Sequence, residues 1–366
     1  MITITYKELF TRDTLYKAHL QGRKCKRDKR SIVRFELTAL DHLEGVYRDL
    51  ERGTFKFGRY ASFAVYEPKM REIQTQPYVS RIIQHVLCDN MLMPYFSKRA
   101  VLDNCVCQPG KGMHFALKRF EGMLNAHVRK YGVNGYFIKG DILKYFASIP
   151  HAQLKKYITS EIADEKIRKI VDDIIDGYHT KKAYLDKYDI PYTEGRGGDT
   201  GRGVPIGNQT SQVFGMFYLN PLDRLVKEKL RVKVYSRYMD DFVLLHPDLE
   251  FIKTVYAEIE KMVTSLGLLF NSKTQIFPMK NGVTYLGYRF IFEKSGKVVR
   301  LVKKQTKNRM RSRARLLKKA YLEGIIPIER VQASQAAFHG HLKHGRCYKF
   351  EQELNKKLDL PAKEEE

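Results

Sequence analysis

The chain has 366 residues, 66 Lys and Arg against 41 Asp and Glu, and a formal charge of +25. At roughly 150 residues per domain this length accommodates two or three structural units. A hydrophobic share of 43% with 12% aromatic residues excludes wholesale disorder.

Residues 1–60 read as mostly helical. Leu37, Leu40, Leu43, Val46, Tyr47 and Leu50 recur at spacings of three and four, the period of an amphipathic helix. Gly53 and Gly58 punctuate a turn into 61–66, whose alternation predicts a strand, and 67–72, led by Pro68, predicts a loop or hairpin tip. Ser80 is placed to cap a helix reaching Pro94, with Ile82, Ile83, Val86, Leu87 and Met91 on one face. A further helix is expected over about 112–129, then a short strand at 135–142 and a helix beginning at Pro150 or its neighbour. Residues 186–203 are polar and glycine-rich, the composition of a mobile connection. Residues 209–230 read as helix, 233–238 and 242–245 as strands flanking Met239-Asp240-Asp241, and 283–292 as the start of a hairpin. The remainder reads as basic helix.

No apolar run approaches the roughly 18–20 residues of a membrane span, and the start lacks the basic and apolar regions of a secretion signal. Five cysteines without a C-x-x-C pair fit neither a disulfide framework nor a usual zinc site. A reduced, cytoplasmic protein without membrane attachment is therefore expected. Its excess charge calls for an anionic partner, and nucleic acid is the commonest large anion in a cell. Between Lys297 and Lys319 stand eleven Lys or Arg and no acid, with Val299, Leu301, Val302, Met310, Leu316 and Leu317 interspersed. A second basic cluster spans 23–30. Both are expected to be faces of folded elements, although a solvated basic surface has the same composition.

The sharpest chemical signal is Tyr238-Met-Asp-Asp241 between two apolar segments. Adjacent carboxylates in a strand repel each other and resist desolvation, and a hairpin tip relieves both costs, most of all with divalent cations bound. With a third acid such a pair can hold two metal ions about 4 Å apart, the arrangement for in-line phosphoryl transfer. Asp141, at the end of the strand 136–141, is the candidate third acid, and Phe146 stands five residues beyond it. An aromatic ring there would exclude a ribose 2′-hydroxyl by bulk, and an ordinary core Phe is the bland alternative. Between the acids lies Gly203-Val-Pro-Ile-Gly-Asn-Gln-Thr-Ser-Gln212, a glycine-flexed loop opening a helix, suited to close backbone approach and to anions. His339, His341 and His344, with Cys347 nearby, have a metal-like spacing, but a place on a basic helix or against the core is the preferred reading.

Phe137-Ile-Lys-Gly-Asp141 with Phe146, Pro205-Ile-Gly-Asn-Gln-Thr-Ser-Gln212 and Tyr238-Met-Asp-Asp241 resemble the three palm motifs of reverse transcriptases, in order. Glu67-Pro-Lys69-Met-Arg71 resembles the fingers hairpin that grips the incoming triphosphate, and 81–87 resembles a fingers helix of bacterial reverse transcriptases. Gly267-Leu-Leu-Phe-Asn-Ser-Lys273 resembles the segment that brings a lysine to the leaving pyrophosphate, and Tyr285-Leu-Gly-Tyr288 resembles the primer grip. The resemblance spans about 35–345. It implies an α+β right-hand polymerase with an antiparallel palm sheet: N-terminal helices over 1–60, fingers over 61–135, a palm over 136–292 with an insertion at about 150–202, and a basic helical thumb and tail over 293–366.

The implied activity is RNA-directed DNA polymerisation, with Asp141, Asp240, Asp241 and the backbone of Ile142 holding two Mg2+ ions. The incoming dNTP would meet Lys69, Arg71, Phe146, Ile206, Gly207, Gln212 and Lys273. Primer and template would meet Tyr238, Met239, Leu286, Gly287, Tyr288, Lys303, Lys304, Lys307, Arg309 and Arg311. Ile206 stands where group II intron and retroviral types commonly carry Gln, and with Ser211-Gln212 it is similar to the reverse transcriptases of diversity-generating retroelements. That bacterial or phage-encoded family copies a template RNA into cDNA with errors at template adenines, together with a small basic oligomeric accessory protein. The chain's length, with no maturase, endonuclease or ribonuclease H module after the thumb, fits that type. A retron-like or phage-defence enzyme, an RNA-dependent RNA polymerase, and a non-catalytic RNA-binding protein on a polymerase scaffold are the alternatives.

Overall fold

A computed structural model describes residues 1–66 and 70–358. The strands are β1 (Ala61–Val65), β2 (Arg71–Thr75), β3 (Tyr136–Gly140), β4 (Val234–Tyr238), β5 (Asp241–His246), β6 (Gln275–Pro278), β7 (Val283–Tyr285), β8 (Tyr288–Phe292) and β9 (Val298–Val302). Helices and antiparallel sheets alternate, giving the α+β class expected. The described residues form two compact units. The first takes Met1–Gly110, Gly140–Arg231 and Val255–Thr274, and the second takes Lys111–Lys139, Val232–Thr254 and the chain from Gln275.

In the first unit β1 and β2 form an antiparallel hairpin, with Val65 opposite Arg71. The apolar run at 37–50 is divided between two helices. Arg30–Glu36 ends at Leu37, and Ala39–Arg52 buries Leu43, Val46 and Leu50. Leu37 and Leu40 consequently face solvent, 81% and 72% exposed. The helix expected to be capped by Ser80 begins earlier, as Tyr78–Leu87 behind Pro77. Ser80 is buried inside it, and its hydroxyl accepts the Gly58 N–H at 3.0 Å. The helix expected over 209–230 breaks into Gln209–Tyr218, Asn220–Arg224 and a π-helical turn at Leu225–Lys229. Pro221 supplies no N–H to continue the first of these.

The end of the 186–203 segment, expected to be a mobile connection, is pinned on both sides. Thr180 N–H donates to the Arg202 carbonyl, His151 N–H to Gly201 and Gly203 N–H to Ile149, each at 2.8 Å. The Arg202 guanidinium donates to the carbonyls of Ser148 (2.6 Å) and Gly267 (2.8 Å).

The second unit holds a four-stranded sheet in the order β4-β5-β3-β6 and a three-stranded antiparallel sheet in the order β7-β8-β9. The chain enters the first unit at Gly140, the last residue of β3. Helix Met113–Tyr131 packs on β4. It buries Phe120 edge-on against Tyr285 and Phe290, which joins the two sheets into one core. β9 replaces the first turn of the basic helix expected there, because Val298, Val299 and Val302 are β-branched and all three are buried. Three helices follow, Lys304–Leu322, Ile328–Leu342 and Tyr348–Lys357, packed through Met310, Ala314, Tyr321, Val331, Leu342, Phe350 and Leu354.

Phe120→Ala should cost about 3–5 kcal/mol in chemical denaturation, because it opens a cavity shared by two sheets. Leu37→Ala should stay within about 0.5 kcal/mol, since that side chain is already in water.

Candidate active site

Tyr238 pairs with Asp241 across the β4–β5 hairpin, so the loop is the two residues Met239 and Asp240. Such short loops require positive φ, which ordinarily falls on glycine. Here Met239 adopts φ 60°, a left-handed conformation costing an L-residue roughly 1–2 kcal/mol. Arg237 offsets that strain. Its side chain is wholly buried, and its guanidinium donates to the Met239 carbonyl at 2.8 Å. The strand interiors, Tyr235, Ser236 and 242–245, are buried, whereas Asp240 and Asp241 are partly exposed at the tip.

Lys139, on β3, lies beside this tip. Its ammonium donates to the Thr284 carbonyl at 2.9 Å and stands 3.8 Å from Asp241 Oδ1. Thr284 precedes a second two-residue turn, Leu286–Gly287, closed by the pairing of Tyr285 with Tyr288. Both turn residues have positive φ, 46° and 85°, so Leu286 is strained as Met239 is. The Ser236 and Tyr285 hydroxyls bond at 3.0 Å, and Lys303 N–H donates to the Gly287 carbonyl at 3.4 Å. Burial pushes the Lys303 ammonium below its ordinary pKa, the Lys139 charge adds to that shift, and Asp241 opposes it. The second unit thus gathers Lys139, Asp241, the 286–287 turn and Lys303.

Several expected nucleic-acid contacts are otherwise engaged. Tyr288 is fully buried, stacks on His341 and donates its hydroxyl to the His341 carbonyl at 2.8 Å, so it offers no surface to a ligand. Arg311 forms a two-bond pair with Glu353 at 2.8 and 2.7 Å, which spends its charge within the helices. Lys307 lies over the Phe350 ring, while Lys304 and Arg309 are exposed. The histidines diverge: His339 pairs with Glu351, His341 stacks on Tyr288 and His344 on His114. Among the described residues no three His, Cys, Asp or Glu side chains form a metal cluster by themselves.

The first unit carries the remaining candidates. Asp141 follows β3 directly, and the 271–274 segment is hung on its backbone. Its carbonyl accepts from Asn271 N–H (2.8 Å) and the Thr274 hydroxyl (3.1 Å), and its N–H donates back to that hydroxyl at 3.1 Å. This carries the exposed Lys273. Ile142 faces Phe270, with flanking bonds made by Asp141 and Leu143, so those bonds leave the Ile142 carbonyl unused. Phe146 is partly exposed, unlike a core Phe, and its carbonyl accepts Val204 N–H at 2.7 Å.

The glycine loop is sewn to β2. Gln74 N–H donates to the Ile206 carbonyl at 3.2 Å, and Asn208 reaches the Tyr60 hydroxyl at 2.8 Å. A Cβ at Gly207, φ 153°, would stand 2.1 Å from the Gln74 carbonyl oxygen, so only glycine fits. Ile206, Gly207 and Gln212 are exposed, as is Arg71 at the start of β2. Lys69 lies outside the described residues. The sequence reading overlooked Lys139, Arg237 and Gln74. Only a basic residue within an otherwise apolar strand could have signalled the first two.

The Asp240–Asp241 tip suits a hard divalent cation: two adjacent oxygen-donor carboxylates, partly open to solvent, at the end of a rigid hairpin. Magnesium needs few protein ligands, because water and substrate phosphates complete its shell.

Comparison with known proteins gives a family. Residues 68–290, more than half of the chain, match the family described as reverse transcriptase (RNA-dependent DNA polymerase). Over 125 residues the chain is 29% identical to an uncharacterized 91 kDa protein in the cob intron of Schizosaccharomyces pombe, an alignment covering 33% of this chain and 12% of that protein. Among solved structures, apo telomerase from Candida tropicalis is similar at 13% identity and TM-score 0.46, covering 66% of this chain and 48% of that one. Its form truncated from the C-terminal domain gives 14%, 0.44, 66% and 54%.

Arg237→Leu should cost about 2–4 kcal/mol in chemical denaturation, since it removes a buried charged donor and releases the strained turn. Adding Met239→Gly should recover part of that loss, because glycine holds the same backbone without strain.

Proposed function

The chain belongs to the reverse transcriptase family, and from that membership we propose that it copies an RNA template into DNA. The observation that carries this reading is the adjacent pair Asp240–Asp241 at the tip of a clamped hairpin, inside the region matched to the family. Reverse transcriptases generally use divalent metal ions, typically Mg2+. Asp141, Asp240 and Asp241, with the Ile142 carbonyl, would hold two such ions, which when bound supply charge neutralisation at the triphosphate and a more acidic primer hydroxyl.

The chain's own residues do the positioning. Arg71, with Lys69, draws in the triphosphate, and Lys273 offers a cation to the departing pyrophosphate. The exposed edge formed by Ile206, Gly207 and Gln212 borders the nascent pair, and Phe146 fills the space of a ribose 2′-hydroxyl. The 286–287 turn and the cations Lys303, Lys304 and Arg309 track the primer and template backbone. The reaction is attack of the primer 3′-hydroxyl on the α-phosphate of a deoxynucleoside triphosphate, with pyrophosphate leaving.

Within the family we assign the chain to the diversity-generating type. The support is Ile206 with Ser211-Gln212. A branched apolar side chain cannot make the hydrogen bond to the nascent pair that a Gln there makes, which weakens discrimination among pairs. This reading brings with it a template RNA of the retroelement and a small basic accessory protein.

The test is RNA-templated extension with Mg2+ and all four dNTPs, with the products sequenced, beside an Asp240→Asn control. Asp240-dependent product with errors concentrated opposite template adenines is expected. Faithful product would transfer the chain to a retron-like or defence role, and no product with or without a partner would favour an RNA-binding scaffold. Phe146→Ala should lower the preference for dNTP over NTP by at least about tenfold, given the steric energies of a pocket wall. Unchanged sugar discrimination would remove the gate from Phe146.

A further inference from the structure

Lys139 is a cation beside Asp241 to which the site as assigned so far gives no role. It projects from β3, partly exposed, with its ammonium shared between the Thr284 carbonyl at 2.9 Å and Asp241 Oδ1 at 3.8 Å. The separation from Asp241 exceeds a direct hydrogen bond, whereas the bond to Thr284 is short and well formed. The side chain is therefore anchored on the β7 backbone, and its charge is presented to the carboxylate. Lys303 adds a second ammonium close enough for each lysine's charge to act on the other, with Asp241 opposing. Two lysine charges therefore act at the Asp241 side of the tip before any metal arrives.

We infer that Lys139 is a built-in counter-ion of the metal site: it holds Asp241 in place when no divalent cation is bound and competes with that cation for the carboxylate. This rests on the reading of Asp241 as a metal ligand. Lys139 touches no reacting atom and acts through Asp241, so it is a positioning residue. Its anchorage on Thr284 also ties the acid hairpin to the 286–287 turn, and a cation entering at Asp241 would press on that turn through Lys139. A purely structural lysine and a competing one make opposite predictions when the charge is removed. Losing a structural support loosens the site and weakens metal binding. Losing a competitor strengthens it.

Lys139→Gln separates the two cases, because its amide can still donate to the Thr284 carbonyl while carrying no charge. The measurement is tyrosine-sensitised Tb3+ luminescence on the whole chain, which has 23 Tyr and no Trp, with Mg2+ displacement as a second reading. Lys139→Gln should bind roughly fivefold more tightly than wild type, the factor for one partly exposed charge pair. Lys139→Arg, which keeps the charge, should bind like wild type. In an Asp241→Asn background Lys139→Gln should bring no gain. Equal or weaker binding by Lys139→Gln, or a gain that persists without Asp241, would overturn the inference. If Lys139→Gln melts early, Lys139→Met against Lys139→Arg makes the same comparison. Primer extension on the same samples keeps the two readings apart: the expected binding pattern without templated extension would remove the polymerase and leave the counter-ion.

Discussion

A two-residue turn forces a left-handed backbone on Met239, and the buried guanidinium of Arg237 keeps it there. The candidate chemistry depends on that clamp. A longer loop would have relieved the strain but let the two carboxylates wander, and positioning to within a fraction of an ångström is what phosphoryl transfer requires. The strain is stored where it has a use, and the pairing of β4 with β5 and the packing of β4 against helix Met113–Tyr131 sustain it. The Leu286–Gly287 turn repeats the device with a second apolar residue at positive φ. The two strained turns are linked by the Ser236–Tyr285 hydroxyl bond and by Lys139.

Charge is organised at two ranges. Over the whole chain an excess of 25 positive charges attracts any polyanion and makes association salt-dependent. At the hairpin tip the same sign of charge does something finer, because Lys139 and Lys303 act on the carboxylate of Asp241. A residue such as Arg311 contributes to the first and nothing to the second, since its charge is paired with Glu353.

The first unit solves a different problem, that of holding a glycine loop in one place without a core of its own. Backbone does most of it. The Ile206 carbonyl and Gln74 N–H make the loop an annex of the β1–β2 hairpin, and Gly207 allows the contact because any side chain would strike the Gln74 carbonyl. The β1–β2 hairpin and the 203–212 loop are therefore not independent parts. A change in either should be felt in the other.

Much of this was legible in the residues alone. The Asp240–Asp241 pair stands out because adjacent carboxylates are costly in most surroundings, and the order of Asp141, Phe146, the 203–212 loop and that pair along the chain carries the resemblance. β1, β4, β5 and the long helix Met113–Tyr131 fall close to where the sequence reading put them, because the type of a short segment is set largely by its own residues. Partnership across long sequence distances was not legible. Leu37 and Leu40 share a helical period with Leu43 but fall outside the helix that buries it, and the period does not tell which residues meet a neighbour. β9 holds one cation, Arg300, but opens a run of Lys and Arg that was read as helix throughout. Arg237 and Lys139 look like surface charges, yet one is wholly buried under a turn and the other is anchored on a strand from 145 residues away. The chemistry of the site is a property of residue types and their order, which the sequence determined. Which charges are matched, buried or spent depends on contacts between distant segments, and only the tertiary structure decides those.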